Sequence, residues 1–219
     1  GTVPEEPRCT VERADASLTY SLFLQRYGGP CAAPAAAELR QGAGGQFRCT
    51  GRANGERRGG IWVDVPFREY VEHLLKPQDP ARLGSDTLYF FGDNNFTEWG
   101  PLFQHYVPPP FRIPGTNPAY SFGIAGSGSG VPFHWHGPGF SEVIFGRKRW
   151  FLYPPDKTPH FHPNETTLAW LQHTYPTLPP AQRPLECTLR PGEVLYFPDR
   201  WWHATLNLDT SVFISTFLG

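Results

Sequence analysis

The sequence predicts a mainly β domain, a jelly-roll or small barrel with helices at its N-terminal side, and three observations predict it. From Leu88 onward, short aromatic and β-branched runs recur between turn signals: TLYFFGD, AYSFGIAG, SEVIF, KRWFLY, LECTLR, EVLYF, HATLNL and SVFISTFL. The 23 Gly and 25 Pro break the chain too often for long helices. Aromatic residues make up 15 % of the sequence and bring much surface to bury, which short regularly spaced strands do by rolling up.

The elements follow in order. Residues 14–27 read as a short helix with Leu and Phe on one side and Gly28 to stop it. Residues 28–60 are dominated by Gly, Ala and Arg and show neither alternation nor a helical stripe, so they read as a mobile or disordered insert. An Arg-rich tract can meet anionic partners, but a solvated linker is the plainer reading. Residues 66–76 are a clearer helix. Phe67, Tyr70, Val71, Leu74 and Leu75 form one apolar stripe behind Pro66. A third helix is expected after Asn164, with Leu168, Leu171 and Tyr175 on one face. Gly146-Arg147 and Pro191-Gly192 separate strand runs as two-residue hairpins would, and Asn207 to Thr210 reads as another reversal.

Composition bounds the function. At 219 residues, the chain makes one good-sized domain or two small ones. Its 19 basic and 20 acidic residues nearly cancel, which disfavours nucleic acid as a partner. No apolar run approaches the ~20 residues that cross a bilayer as a helix. The chain starts at Gly1 and has no Met, which fits a removed leader or a trimmed start. Asn95-Phe96-Thr97 and Asn164-Glu165-Thr166 are acceptor sequons, and together they point to the endoplasmic reticulum lumen, with the cytoplasm as the alternative. Cys9, Cys31, Cys49 and Cys187 allow three pairings if all are oxidised, or are free thiols in a reducing compartment.

The chemistry concentrates in VPFHWHGPGFSEVIFGRKRWFLY, residues 131–153. His134 and His136 are two apart, so on a strand both imidazoles share a face. His203, at the end of PGEVLYFPDRWWH, supplies a third donor if the barrel brings the two segments together. The competing reading makes all three core or surface histidines bonded to backbone. A rival pair, His160 and His162, lies between Pro159 and Pro163 in what reads as a surface loop. Trp201 and Trp202 read as packing, and Asp199 and Arg200 as turn formers.

His134-x-His136, then GRKRWFLYPP, then RPGEVLYFPDRWWH, resembles the Jumonji-C (JmjC) domain family over roughly residues 63–219, with a shorter echo around 3–27. The resemblance implies a double-stranded β-helix (jelly-roll, cupin-like) that binds iron(II) and 2-oxoglutarate. It divides the chain into a divergent N-terminal part, residues 1–62, and the β-helix domain, residues 63–219. It matches His134 and His203 to the two iron-binding histidines, with His136 where the family has Asp or Glu. A carboxylate would offset part of the metal's charge and an imidazole does not; Glu142 is the nearby acid that would have to swing in instead. Lys148 and Tyr89 match residues that hold the distal carboxylate of 2-oxoglutarate, though a solvated place on the strand is the competing reading of Lys148. Val131 stands where a small hydroxyl residue is common, so a hydrogen bond to the cosubstrate of about 1.5–3 kcal/mol is expected to be missing.

The resemblance further implies a regulator of signalling, of the kind that acts in tumour-necrosis-factor-driven NF-κB activation, rather than a histone demethylase. In that reading the barrel is a binding scaffold with a degenerate metal site. The alternative is an active iron(II)- and 2-oxoglutarate-dependent protein hydroxylase using three histidines, and a metal-binding cupin without oxygenase activity lies between them. The partner or substrate is in each case a protein, with no nucleic acid and no membrane span.

Overall fold

Strands that are apolar along nearly their whole length must bury both faces, and among the described residues two facing sheets and the helices packed on them do it. The structure, a computed structural model, describes residues 9–13, 31–34, 50–55, 61–79, 81, 88–91, 96–109, 115–163 and 165–218. The larger sheet takes β1 (Glu12–Arg13), β2 (Cys31–Pro34), β3 (Thr50–Gly55), β4 (Ile61–Pro66), β5 (Leu88–Phe91), β6 (Ala119–Ala125), β8 (Gly139–Phe145), β11 (Glu193–Phe197) and β13 (Ser211–Phe217), in the order β1-β2-β11-β8-β13-β6-β5-β3-β4. The smaller takes β7 (Gly130–His134), β9 (Lys148–Tyr153), β10 (Leu185–Leu189) and β12 (Trp202–Asn207), in the order β10-β9-β12-β7. All pairings are antiparallel except the short β1–β2 pair.

The turns do different work from the hairpins expected. β8 pairs with β11 and β13, while β9 pairs with β10 and β12, so Gly146-Arg147 carries the chain from one sheet to the other. Pro191-Gly192 likewise links β10 to β11 across the sheets, and Asn207 to Thr210 links β12 to β13. Gly146 (φ 79°) and Gly192 (φ 82°) occupy the left-handed region these corners need. Chain reversal was legible; the partner strand was not. Corners that pass between two stacked sheets make this a double-stranded β-helix.

Residues 28–60 also differ from the strandless insert expected, because β2 pairs with β11, and β3 joins β4 to β5. Backbone hydrogen bonds to neighbouring strands hold these segments without any alternation of apolar side chains. The helix expected at 14–27 lies outside the described residues.

The 66–76 helix opens as one α turn, Phe67–Glu69, and continues as a π turn, Tyr70–Leu74, closed by Leu75 N–H donating to the Tyr70 carbonyl at 2.8 Å; together they form α1. Tyr70 is buried and Phe67, Leu74 and Leu75 pack beside it, but Val71 is exposed, since the wider π register turns it off the stripe. α2 (Phe96–Phe103), unforeseen in the sequence, joins α1 over the outer face of the larger sheet. α3 (Thr167–His173) covers the outer face of the smaller sheet with Leu168, Trp170 and Leu171. The Thr166 hydroxyl caps it by accepting from Ala169 N–H at 3.1 Å. Tyr175 sits one turn beyond, against the same cluster.

Between the sheets lies a third layer of side chains: Val143, Trp150, Leu152, Leu189, Leu195 and Phe197. A disulfide joins Cys9 to Cys187 on the same side, and the Thr10 backbone N–H donates to the Glu186 carbonyl at 2.9 Å. The N-terminal segment is thereby fastened to β10.

Candidate metal centre

Period-two alternation decides what enters the space between the sheets. On β9, Lys148, Trp150 and Leu152 face inward while Arg149, Phe151 and Tyr153 face α3. On β12, His203 and Thr205 face inward and Ala204 and Leu206 outward. The inward residues leave a cavity of about 350 Å³, its open mouth included.

His134 ends β7 directly opposite His203 on β12, and a register shift follows between His203 and Thr205. Pro132 lies in this irregular stretch, on the outermost strand of the smaller sheet, where its lack of an N–H is tolerated. His136 lies two residues past His134, in the loop that continues β7. A further bond, Arg200 N–H to the His136 carbonyl at 3.0 Å, ties this loop to the β11–β12 turn. Arg200 holds φ 60° there, so the turn-forming role expected of Asp199 and Arg200 is met in strained form.

The three imidazoles converge. Their ring centroids lie 4.2 Å (His134–His203), 4.6 Å (His136–His203) and 5.4 Å (His134–His136) apart, and one nitrogen from each falls within 4.8 Å of the others. Each Nδ1 faces a backbone carbonyl: His134 to Pro132 at 2.8 Å, His136 to Gly137 at 2.8 Å, His203 to Trp201 at 2.9 Å. A carbonyl only accepts, so each Nδ1 carries the proton and each Nε2 presents a lone pair. His136 Nε2 and His203 Nε2 stand 3.0 Å apart, two lone pairs face to face. A shared cation resolves that repulsion. Burial, above all, depresses all three histidines, His134 to about 4 and His203 well below its ordinary value, so they are neutral near pH 7. Three neutral Nε2 donors with oriented Nδ1–H groups are the donor set that divalent iron, cobalt, nickel, copper or zinc takes. On chemistry, the residues fit a metal.

Lys148 lies 1 % exposed on the wall of the same cavity, so the solvated reading of this residue is wrong. Its ammonium donates to the Tyr89 hydroxyl at 2.6 Å and sits 3.3 Å from the centroid of the Phe213 ring. No carboxylate among the described residues pairs with it. Burial lowers its pKa well below the usual lysine value. Cation–π contact offsets part of this cost, and an anionic ligand would offset more.

Glu142 does not swing in. Its neighbour Ser141 lines the cavity, so the Glu142 side chain points to the opposite face of β8, where the Tyr106 hydroxyl donates to it at 2.9 Å. Val131 does line the cavity, and its N–H donates to the Thr205 hydroxyl at 3.2 Å. The hydroxyl missing at 131 is therefore present on the paired strand, in register, at 205. His160 and His162 are exposed and stand outside the cluster, as a surface-loop reading requires. Trp201 and Trp202 are half-buried and pack against the core. Asn95 and Asn164 lie outside the described residues.

Sequence reading missed Thr205, Trp150 and Phe213, all on this cavity. The alternation that puts Lys148 and His203 inward also selects Trp150 and Thr205, two places further on. Trp150 has its indole N–H buried without a partner.

Two facing sheets with corner turns and three imidazoles on the inner wall define a cupin-type domain with a candidate metal site. The chain belongs to the cupin-like JmjC-domain family: a model of the cupin-like domain matches residues 54–217. It is 64 % identical to human JmjC domain-containing protein 8, covering 100 % of this chain and 87 % of the relative, and equally identical to the rat protein of that name over 99 % and 85 %. It is 32 % identical to lysine-specific demethylase JMJ21 of Arabidopsis thaliana over 70 % of this chain but 18 % of that protein. Among solved structures, Escherichia coli YcfD superposes with a TM-score of 0.57 at 16 % identity, over 93 % of this chain and 53 % of YcfD. The ribosomal oxygenase YcfD in complex with cobalt and 2-oxoglutarate gives 0.52 over 93 % and 52 %. At that identity the likeness is one of fold, and the chain spans about half the length of YcfD.

Proposed function

We propose that this chain is an oxygenase-type JmjC domain that binds iron(II) through His134, His136 and His203, takes 2-oxoglutarate beside Lys148 and Tyr89, and hydroxylates a protein in the endoplasmic reticulum lumen. The observation that carries the reading is the cluster of three histidine nitrogens within 4.8 Å of one another beside a buried lysine that has no acid partner among the described residues. Bound there, iron(II) with 2-oxoglutarate supplies oxygen activation for C–H hydroxylation. The protein's part is positional. Backbone carbonyls fix the histidine tautomers, Lys148 and Tyr89 offer an N–H and an O–H to a carboxylate, and the apolar walls limit water. YcfD, described with cobalt and 2-oxoglutarate, supports the pairing of metal and 2-oxoacid by fold. The Cys9–Cys187 disulfide supports an oxidising compartment, as do the sequons at Asn95 and Asn164.

A second reading, a signalling regulator that keeps the barrel as a binding scaffold, draws on His136 in place of a carboxylate. The two separate in one anaerobic experiment. Iron(II) and 2-oxoglutarate added to the protein are expected to give the near-visible charge-transfer band of the chelate, lost in His134→Ala. No band, with no iron retained, overturns the oxygenase reading. Unmodified Asn95 and Asn164 in protein from cells would overturn the luminal one.

A further inference from the structure

Among the described residues, the side of the sandwich where β10 ends the smaller sheet and β1 and β2 end the larger is crossed by one short segment, residues 9–13. At one end Thr10 exchanges hydrogen bonds with Glu186 on β10: its N–H donates to the Glu186 carbonyl at 2.9 Å, and its hydroxyl accepts from the Glu186 N–H at 2.9 Å. At the other end Glu12 and Arg13 pair with Cys31 and Ala32 of β2. Val11, between them, is 4 % exposed and packs in the cluster that fills the gap between the sheets. Ordering such a strap costs conformational entropy at every residue, and a few hydrogen bonds at its ends offset little of it. The covalent Cys9–Cys187 bond is the strong member of the attachment.

Cys187 also connects the strap to the metal centre. It stands opposite Trp150 on β9, and Trp150 in turn stands opposite Thr205 on β12. Trp150 stacks on Phe197 with centroids 5.8 Å apart. Phe197 stacks on His203 at 5.1 Å and meets the His136 ring edge-on at 5.2 Å. Val11, Cys187, Trp150 and Phe197 belong to one packed cluster. Close-packed interiors transmit a displacement rather than absorb it. Two of the three imidazoles therefore rest on a ring that shares its packing with the strap.

Resting on the metal-site reading above, we propose that the Cys9–Cys187 disulfide is a redox latch on the metal centre. Oxidised, it keeps Val11 in the seam and Phe197 firm against His136 and His203; reduced by a dithiol, it frees residues 9–13 and weakens the hold on the metal while the β-helix stays folded. Cys187 has no exposed surface, so the incoming thiolate attacks the half-buried Cys9 sulfur. That attack forms a mixed disulfide on Cys9 and expels the Cys187 sulfur as a thiolate, which takes up a proton. The second thiolate of the reductant then displaces the Cys9 sulfur, which is protonated in turn. Two electrons pass to the cysteine pair, and the dithiol leaves as its own disulfide. An oxidising compartment keeps the latch closed.

The test compares the whole chain in its oxidised form with the same chain reduced by a phosphine that is then removed. Cobalt(II) is titrated into each and read by its d–d absorption and by calorimetry, at a temperature where the oxidised form is fully folded. Reduction is expected to weaken cobalt binding about tenfold, within the range common for linked sites, with the far-UV circular dichroism unchanged. Cys9→Ser should bind cobalt as the reduced wild type does and respond no further to the phosphine, which assigns the effect to this bond rather than to Cys31 or Cys49. Val11→Ala, with the disulfide intact, should lose part of the affinity. Equal cobalt affinity in the oxidised and reduced wild type overturns the latch and leaves the metal site standing. No cobalt uptake in either state overturns both. Loss of the far-UV signal on reduction also overturns the latch, because the bond then holds the fold and not the site. If Cys9→Ser does not fold, the wild-type comparison decides, with alkylation and peptide mapping to show that Cys9 and Cys187 are the thiols released.

Discussion

Glu142 offers a clean test of how this β-helix handles a buried acid. It is 1 % exposed on the outer face of β8, one carboxyl oxygen accepting from Tyr106 at 2.9 Å and the other without a partner. Burial raises its pKa from 4.5 to about 7, although the Tyr106 bond pulls the other way. The folded state therefore keeps a proton that the unfolded chain releases. For an acid with a raised pKa, folding stability is unaffected well below 4.5, falls as pH climbs from about 4.5 to about 7, and is level above that. At about 1.36 kcal/mol per pKa unit, the rise amounts to about 3 kcal/mol at high pH. Glu142→Gln keeps the acceptor for Tyr106 and cannot ionise. Urea denaturation of both proteins at pH 4, 7 and 9 should show the variant gaining on the wild type by about 3 kcal/mol between the extremes, most of it by pH 7, whatever their offset at pH 4. Cobalt binding should be unchanged, because this side chain faces away from the histidines. Two stability profiles that run parallel across that range would refute the reasoning.

Other perturbations probe the scaffold. A methyl group at Gly123 would run into the Phe213 ring, which also carries the Lys148 amine on its face, so Gly123→Ala should cost about 1–3 kcal/mol by denaturant melt, largely recovered by adding Phe213→Leu. The Cys9–Cys187 bond closes a span of 178 residues; Cys9→Ser should lower stability by about 2–5 kcal/mol, and reductant should have the same effect on the wild type by calorimetric Tm. Thr166→Ala removes the cap of α3 and should cost about 1 kcal/mol, with faster hydrogen exchange at Ala169 N–H.

How much of this was readable depended on the range of the interaction. Strands β5, β6 and β8 to β13 announce themselves by local aromatic and β-branched runs, and the three site histidines by their spacing and setting. β2 and β3 carry no such runs: CAAP and TGRANG join the sheet through backbone bonds to partners far along the chain, which composition does not encode. Gly146 and Gly192 advertise reversals, but whether a reversal stays within a sheet or passes to the other depends on stacking between sheets. Val131 shows the same limit. Its missing hydroxyl is plain in the sequence, while Thr205 becomes its neighbour only through the β7–β12 register. Val71 falls on the helical stripe at 3.6 residues per turn, and the π turn alone removes it.

The imidazole at 136 suits its surroundings better than an acid would. Phe197 and Phe217 meet the His136 ring nearly at right angles, with centroids at 5.2 and 5.1 Å, and its Nδ1–H is spent on the Gly137 carbonyl. A carboxylate in that corner would lose the hydrogen bond, since it has no proton to give, and would set a negative charge against two aromatic rings that offer it no donor. Phe197 also lies stacked on His203 at 5.1 Å, so the two histidines contributed by separate segments share one apolar support. The packing that orients the donor nitrogens thus favours an imidazole over a carboxylate at this position.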